Sequence, residues 1–326
     1  MRVFVTGATG FIGSAIARDL IDHGHTVVGL ARSTASADAL RKAGVEPHQG
    51  SLRDLDSLRR AAAAADGVIH LAFTFSLTEM PLPRLLGVFL GGSPAGIPRR
   101  VMGAIMRTDR LGIDALGDAL KGSGRPLVTT FGVMGIAGAA GDRAQRPATE
   151  ADKPNPKSPG YGRALNEQAV DDWAARGVRA SLVRLAPSVH GDGDKGLIPQ
   201  LIGAARKRGE AIYVGDGENR WGGVHRQDAA TLFRLALEQG TAGARYHGVA
   251  DEGVPFRSIA EVIGRRLDAP VRSKTLAEAN RQLGWFGPFI AVDNPASSAQ
   301  TQQALGWRPT GPSLLADIDR DAYFPR

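Results

Sequence analysis

The stretch TGATGFIG, residues 6–13, sets Gly7, Gly10 and Gly13 at three-residue intervals, directly after the apolar run RVFV and at the start of the helical pattern FIGSAIARDLIDHG. Each glycine has its own physical reason. Gly7 permits a tight turn, Gly10 lets the backbone approach a pyrophosphate, and Gly13 lets helix and strand pack closely. A strand, a glycine turn and a helix in phase predict a βαβ unit with a dinucleotide phosphate at the helix amino terminus. Thr9, Phe11 and Ile12 in the same turn are expected to touch that cofactor as well.

The rest of the first half repeats the rhythm. Apolar strand-like runs at 26–32, 45–50, 67–73, 125–132 and 178–185 alternate with alanine-rich amphipathic segments at 35–44 and 53–65. Such alternation predicts a doubly wound α/β fold, a parallel sheet covered on both faces. Beyond residue 186 glycine and proline become frequent, and short helical pieces at 197–209, 227–240 and 258–267 are joined by loops. The expectation is a dinucleotide-binding Rossmann domain over 1–185. Residues 186–326 then form mostly a substrate-binding lobe, with some segments, such as 227–240, packing back on the sheet.

Several classes drop out. The chain has no cysteine, which excludes disulfides, thiolate metal sites and a cysteine nucleophile. Its net charge of +7 is spread along the chain without a basic run, so a nucleic-acid partner is not expected. No metal cluster is expected either, because the His and Asp residues of HGDGD (190–194) suit glycine-rich turns. The strand begins right after Met1, leaving no room for a signal peptide, and no apolar run reaches membrane-spanning length. A cytoplasmic monomer or homodimer acting on a small molecule is expected. Residues 76–108 stand out as apolar, with Met80, Leu82, Leu85, Leu86, Val88, Phe89 and Leu90 among Pro81, Pro83, Pro94 and Pro98. Prolines limit regular structure there. The expected role is a substrate lid, with a dimer contact or membrane-surface attachment as alternatives.

The end of the second strand selects the cofactor. An acidic residue there takes the ribose hydroxyls of NAD, whereas arginine suits the 2′-phosphate of NADP. The chain reads GLARST, with Arg32 and Ser33 and no carboxylate until Asp38, so NADP(H) is the expected cofactor.

TGATGFIG, GSLRD (50–54), VIHLAF (68–73), Tyr161 and VHRQDAA (224–230) together resemble the extended short-chain dehydrogenase/reductase family, the NAD-dependent epimerase/dehydratase group. More closely, VRLAPSVHGDGDKG (183–196) and DNPASS (293–298) resemble an atypical subgroup that keeps the cofactor motif and loses parts of the catalytic set. The resemblance implies the same fold. It also implies that Ser51 and Leu52 sit by the adenine, that Leu71, Ala72 and Phe73 line the cofactor trough, and that Pro187 and Tyr161 contact the cofactor. The family has aspartate where Ser51 stands.

By the same resemblance the catalytic set is Asn, Ser/Thr, Tyr and Lys. Thr130 takes the hydroxyl position and Tyr161 the proton donor's, but Asp109 replaces the asparagine and Leu165 replaces the lysine. That lysine would lower the tyrosine's pKa. Arg163, two positions after Tyr161, is expected to point away from it on a helix. His190 and His225 are candidate substrate-side donors, since imidazole titrates near neutrality, or else orient loops. Asp228 is expected to cap a helix. The leading reading is NADPH-dependent reduction, or the reverse oxidation, of a small to medium hydrophobic carbonyl compound. The alternatives are an NADP(H)-binding sensor or scaffold without turnover, and a nucleotide-sugar epimerase or dehydratase.

Overall fold

The computed structural model describes residues 1–73, 86–88, 93 and 96–325. Seven strands form one parallel sheet: β1 (Arg2–Thr6), β2 (Thr26–Ala31), β3 (Glu46–Gln49), β4 (Gly67–His70), β5 (Pro126–Gly132), β6 (Arg179–Leu185) and, after a long excursion, β10 (Arg245–Gly248). Their order is β10-β6-β5-β4-β1-β2-β3. The direction of winding reverses between β1 and β4, and a crevice opens there at the carboxyl ends of the strands. This is the predicted doubly wound fold.

Alternation along β1 shows how both faces are filled. Val3 and Val5 point into a core shared with α1 (Phe11–Asp22), α2 (Thr34–Lys42) and α8 (Arg226–Gln239), where Ile16, Leu40, Phe233 and Leu237 are buried. Phe4 points the other way, against Leu58 of α3 (Leu55–Ala63), Ile113 and Leu116 of α4 (Ile97–Leu120) and Trp173 of α6 (Gln168–Ala174). Each such side chain, fully buried, contributes about 1.5–3 kcal/mol of transfer free energy. The short helix α5 (Tyr161–Ala164) precedes α6, and a 3-10 turn at Leu165–Glu167 joins them.

A second core lies over the carboxyl ends of the strands. It gathers Trp221, Phe256, Ile259, Phe286, Ile290 and Leu314. Helices α7 (Leu197–Arg208) and α9 (Phe256–Leu267) frame it with two small sheets. One sheet joins β7 (Ser188–His190), β9 (Arg220–His225) and β11 (Asp251–Pro255), and the other pairs β8 (Ala211–Val214) with β12 (Val271–Lys274).

One buried ion pair ties α5–α6 to the sheet. Arg184 of β6 is fully buried, and its Nε and Nη2 donate to the two oxygens of Glu167 at 3.0 and 2.7 Å. Among the described residues, no helix is long and apolar enough to cross a membrane. Within the apolar stretch 76–108, residues 76–85, 89–92, 94 and 95 lie outside the described residues, and with them most of the expected lid. Its end, from residue 97, is helical, which differs from the proline-limited irregular segment expected. Pro98 sits in the first turn of α4, where a missing N–H leaves no hydrogen bond unmade.

Candidate active site

Gly7 has φ +77°, a left-handed conformation that suits glycine, and its turn closes with the Gly10 N–H on the Gly7 carbonyl at 2.9 Å. A Cβ at Gly13 would lie 2.0 Å from that carbonyl oxygen, so α1 can pack on the turn only with glycine there. Gly10 is the N-cap of α1 and no side chain caps the helix, which leaves its positive end open. Thr6 fastens the two strand ends that flank the crevice. Its Oγ1 accepts the N–H groups of Leu71 and Ala72 at 3.2 and 3.1 Å and pairs with His70 Nδ1 at 2.8 Å.

The crevice is a cavity of about 330 Å³. It brings together Gly7, Thr9, Gly10, Arg32, Ser51, Leu52, Leu71, Ala72 and Phe73, all expected at the cofactor, and adds Leu30, Ser36, Arg53 and Thr108. Ser33, also expected there, spends its hydroxyl in a capping box with Ser36 at the start of α2. Among the described residues, Thr130, Tyr161, Pro187, His190 and His225 lie outside this cavity's walls.

The residues around Tyr161 differ from a regular helical face. Tyr161 is half-buried and opens α5, with its N–H on the Ser158 carbonyl at 3.1 Å. After four residues the chain tightens into the 3-10 turn, and Leu165 is 53% exposed. Arg163, expected to point away, turns inward instead. Its guanidinium carbon lies 4.1 Å from the Phe73 ring centre, and its Nη2 donates to the Thr130 carbonyl at 3.0 Å. Burial lowers the Arg163 pKa, and the charge of Asp109 partly restores it.

Asp109 is itself buried on α4. Its Oδ2 accepts from Asn166 Nδ2 at 2.7 Å, and its Oδ1 lies 3.8 Å from His70 Nε2. At that length the histidine contact is electrostatic rather than a hydrogen bond. Burial alone would raise the Asp109 carboxyl, but the pull of His70, the Arg163 charge and the Asn166 amide hold it below its ordinary range. Thr129 faces into the sheet, donating to the Ser181 carbonyl at 3.4 Å, whereas Thr130 is half-buried.

Both histidines make contacts that hold loops and segments in place. His190 has no exposed surface, and its Nδ1 sits 3.0 Å from Asp317 Oδ2, so it fastens the carboxyl-terminal segment rather than facing a substrate. Burial depresses its pKa, against the pull of Asp317. His225 is half-buried and caps α8, its Nδ1 accepting the Gln227 N–H at 3.4 Å. Asp228 is therefore not the cap. Its carboxylate accepts the N–H groups of Thr310 and Gly311 at 3.0 and 2.9 Å. Sequence reading missed Arg53, Arg163 and the Thr6–His70–Asp109–Asn166 network. A basic residue in the loop beside that of Arg32 was the one signal available for Arg53.

A family model described as NAD-dependent epimerase/dehydratase matches residues 3–79 and 98–249, more than half of the chain. An uncharacterized protein of Schizosaccharomyces pombe is 44% identical over 99% of this chain and 100% of its own length. A 2-alkyl-3-oxoalkanoate reductase of Stenotrophomonas maltophilia is 28% identical, with 85% of this chain and 79% of that protein aligned. Among solved structures, a dTDP-glucose 4,6-dehydratase from Streptomyces venezuelae with NAD and TYD bound superposes with a TM-score of 0.73. It has 21% identity and covers 99% of this chain and 96% of that one.

Proposed function

Because the chain belongs to the NAD-dependent epimerase/dehydratase family, we propose that it is an NADPH-dependent oxidoreductase. Its reaction is reduction of a small to medium hydrophobic carbonyl compound, or the reverse oxidation. The lining of the crevice carries this reading: the glycine turn, Arg32, and no acidic side chain among the described walls.

The residues fit a dinucleotide. A Cβ at Gly7 would crowd Ala72 N at 3.0 Å, and among the described residues one at Gly10 would meet only the Gly7 carbonyl within 4 Å, which leaves room beyond Gly10 for a ligand. Gly7, Thr9, Gly10 and the open end of α1 would hold the pyrophosphate. Arg32 would take the 2′-phosphate, which a guanidinium binds in bidentate fashion. Once bound, a nicotinamide nucleotide supplies or accepts the hydride.

The chain's own part is orientation and proton traffic. Holding a carbonyl in a reactive position removes about 7–11 kcal/mol of barrier, and a positioned proton donor adds a factor of about 10² to 10⁴. In this reading Tyr161 gives its proton to the substrate oxygen and the Thr130 hydroxyl hydrogen-bonds the same atom. Phe73, over which Arg163 stacks, lines the crevice and gives it an apolar wall, which suits a hydrophobic substrate. Similarity to a 2-alkyl-3-oxoalkanoate reductase supports a carbonyl as the reacting group.

Fluorescence titration with NADPH and NADH, followed by cofactor oxidation with a panel of hydrophobic ketones, aldehydes and enones, tests the proposal. Tighter NADPH binding and turnover of at least one carbonyl are expected. Equal affinities, or an unchanged preference in Arg32→Ala, would overturn the cofactor assignment. One observation favours a second reading, a nucleotide-binding sensor without turnover: the lysine position is an exposed leucine, Leu165. Tight NADPH binding with no turnover on the whole panel would select it.

A further inference from the structure

We propose that Arg53 is a second arm of the 2′-phosphate site, acting with Arg32 and the amino end of α2. The inference rests on the NADPH reading above and deepens it.

Strands β2 and β3 are parallel neighbours, with Ala31 opposite Gln49, so the loops that follow them leave the sheet side by side. The Gly50 N–H on the Ala31 carbonyl at 2.9 Å carries that pairing one residue further. Arg32 is the first residue after β2, and Arg53 is the fourth after β3. Both line the same cavity as Gly10 and Ser36.

The Arg53 loop is tightly held. A Cβ at Gly50 would lie 2.3 Å from Ser57 Oγ, so the loop enters against α3 with no space for a side chain. The Asp54 N–H closes on the Ser51 carbonyl at 3.1 Å, and the Arg53 N–H on Ser51 Oγ at 3.3 Å. Asp54 anchors the loop's far end by capping α3, accepting the Ser57 N–H at 2.9 Å. Arg53 is half-buried where Arg32 is exposed, so its contact to an anion would be the less screened of the two.

Three sources of positive potential thus meet at one end of the crevice: two guanidinium groups and the start of α2, whose first turn carries no acid. A neutral ribose diol gains little from them. A phosphate monoester, close to a dianion at neutral pH, gains from all three.

The test is calorimetric titration of the full chain with 2′,5′-ADP and with 5′-ADP, probes that involve no turnover. The wild type is expected to prefer 2′,5′-ADP. Arg53→Gln is expected to lose about tenfold or more in affinity for 2′,5′-ADP and to bind 5′-ADP within twofold of wild type. Arg53→Lys, which keeps the charge without the fork, is expected to fall between them, and the Arg32→Gln/Arg53→Gln double variant to show no preference. If the wild type binds both probes equally, the NADPH reading itself falls. If the wild type prefers 2′,5′-ADP and Arg53→Gln keeps that preference while Arg32→Gln loses it, the role of Arg53 falls and the NADPH reading stands.

Discussion

The Arg163 guanidinium stacks on the ring of Phe73, and this contact fastens the helix that opens at Tyr161 to the segment leaving β4. A cation over an aromatic face in a partly desolvated setting is worth about 0.5–2 kcal/mol. A double-mutant cycle with Arg163→Met and Phe73→Leu is therefore expected to show a coupling of that size in urea unfolding. Strictly additive single variants would mean that the stacking contributes nothing.

If Tyr161 is the proton donor, Tyr161→Phe loses at least tenfold in turnover while its NADPH affinity stays nearly unchanged. Steady-state kinetics paired with a binding titration separates the two effects. A fully active Phe variant would move the role to the Thr130 hydroxyl or to ordered water.

Much of the architecture was legible because its signals are local. The glycine spacing of 7, 10 and 13 and the apolar runs of the sheet need no distant partner to be recognised. The misreadings have non-local causes. Helical spacing turns Arg163 away from Tyr161, but its guanidinium finds the Phe73 ring and the Thr130 carbonyl, both far off in sequence, while Leu165 in the 3-10 turn stays exposed. Asp228 looked like a cap because of its place at a helix start. The N–H groups of Thr310 and Gly311, some eighty residues away, compete for it successfully. His190 is a candidate donor in the sequence because imidazole titrates near neutrality. Its partner Asp317 lies near the far end of the chain.

The Arg184–Glu167 pair is fully buried, so removing Arg184 leaves the Glu167 charge buried with the longer 3.7 Å contact to Arg245 in place of its bidentate partner. Arg184→Met alone is expected to cost about 3–5 kcal/mol in denaturant unfolding. Combining it with Glu167→Leu is expected to recover much of that loss. A double variant no more stable than Arg184→Met would contradict the stranded-charge account.

Burial, with help from the nearby Asp317 charge, pushes the Asp194 carboxyl up to about 6, although the Gly196 N–H and Tyr323 hydroxyl pull the other way. Unfolded aspartate titrates near 3.9. Between those two values the folded chain binds more protons than the unfolded one, so this group's contribution to stability falls as pH rises through the window. Asp194→Asn removes the penalty. It is expected to melt like wild type near pH 4 and at a higher temperature than wild type at pH 7.5. A variant less stable than wild type at both pH values would show that the carboxylate's hydrogen bonds outweigh its burial.

Helix α8 and strand β10 come from residues 226–248, yet they seal surfaces made from residues before 186. At the usual rate of synthesis, 63 residues (248 minus 185) take roughly 3–13 seconds to add. If the residues before 186 pair as they emerge, β6 stands throughout that interval as a bare sheet edge, and one sheet face lacks the Phe233 and Leu237 side chains that complete it. An unpaired edge beside open apolar surface is what aggregation templates on. The order in which this chain is made therefore gives it a period of dependence on whatever covers emerging polypeptide, and that period ends only when Gly248 has cleared the ribosome.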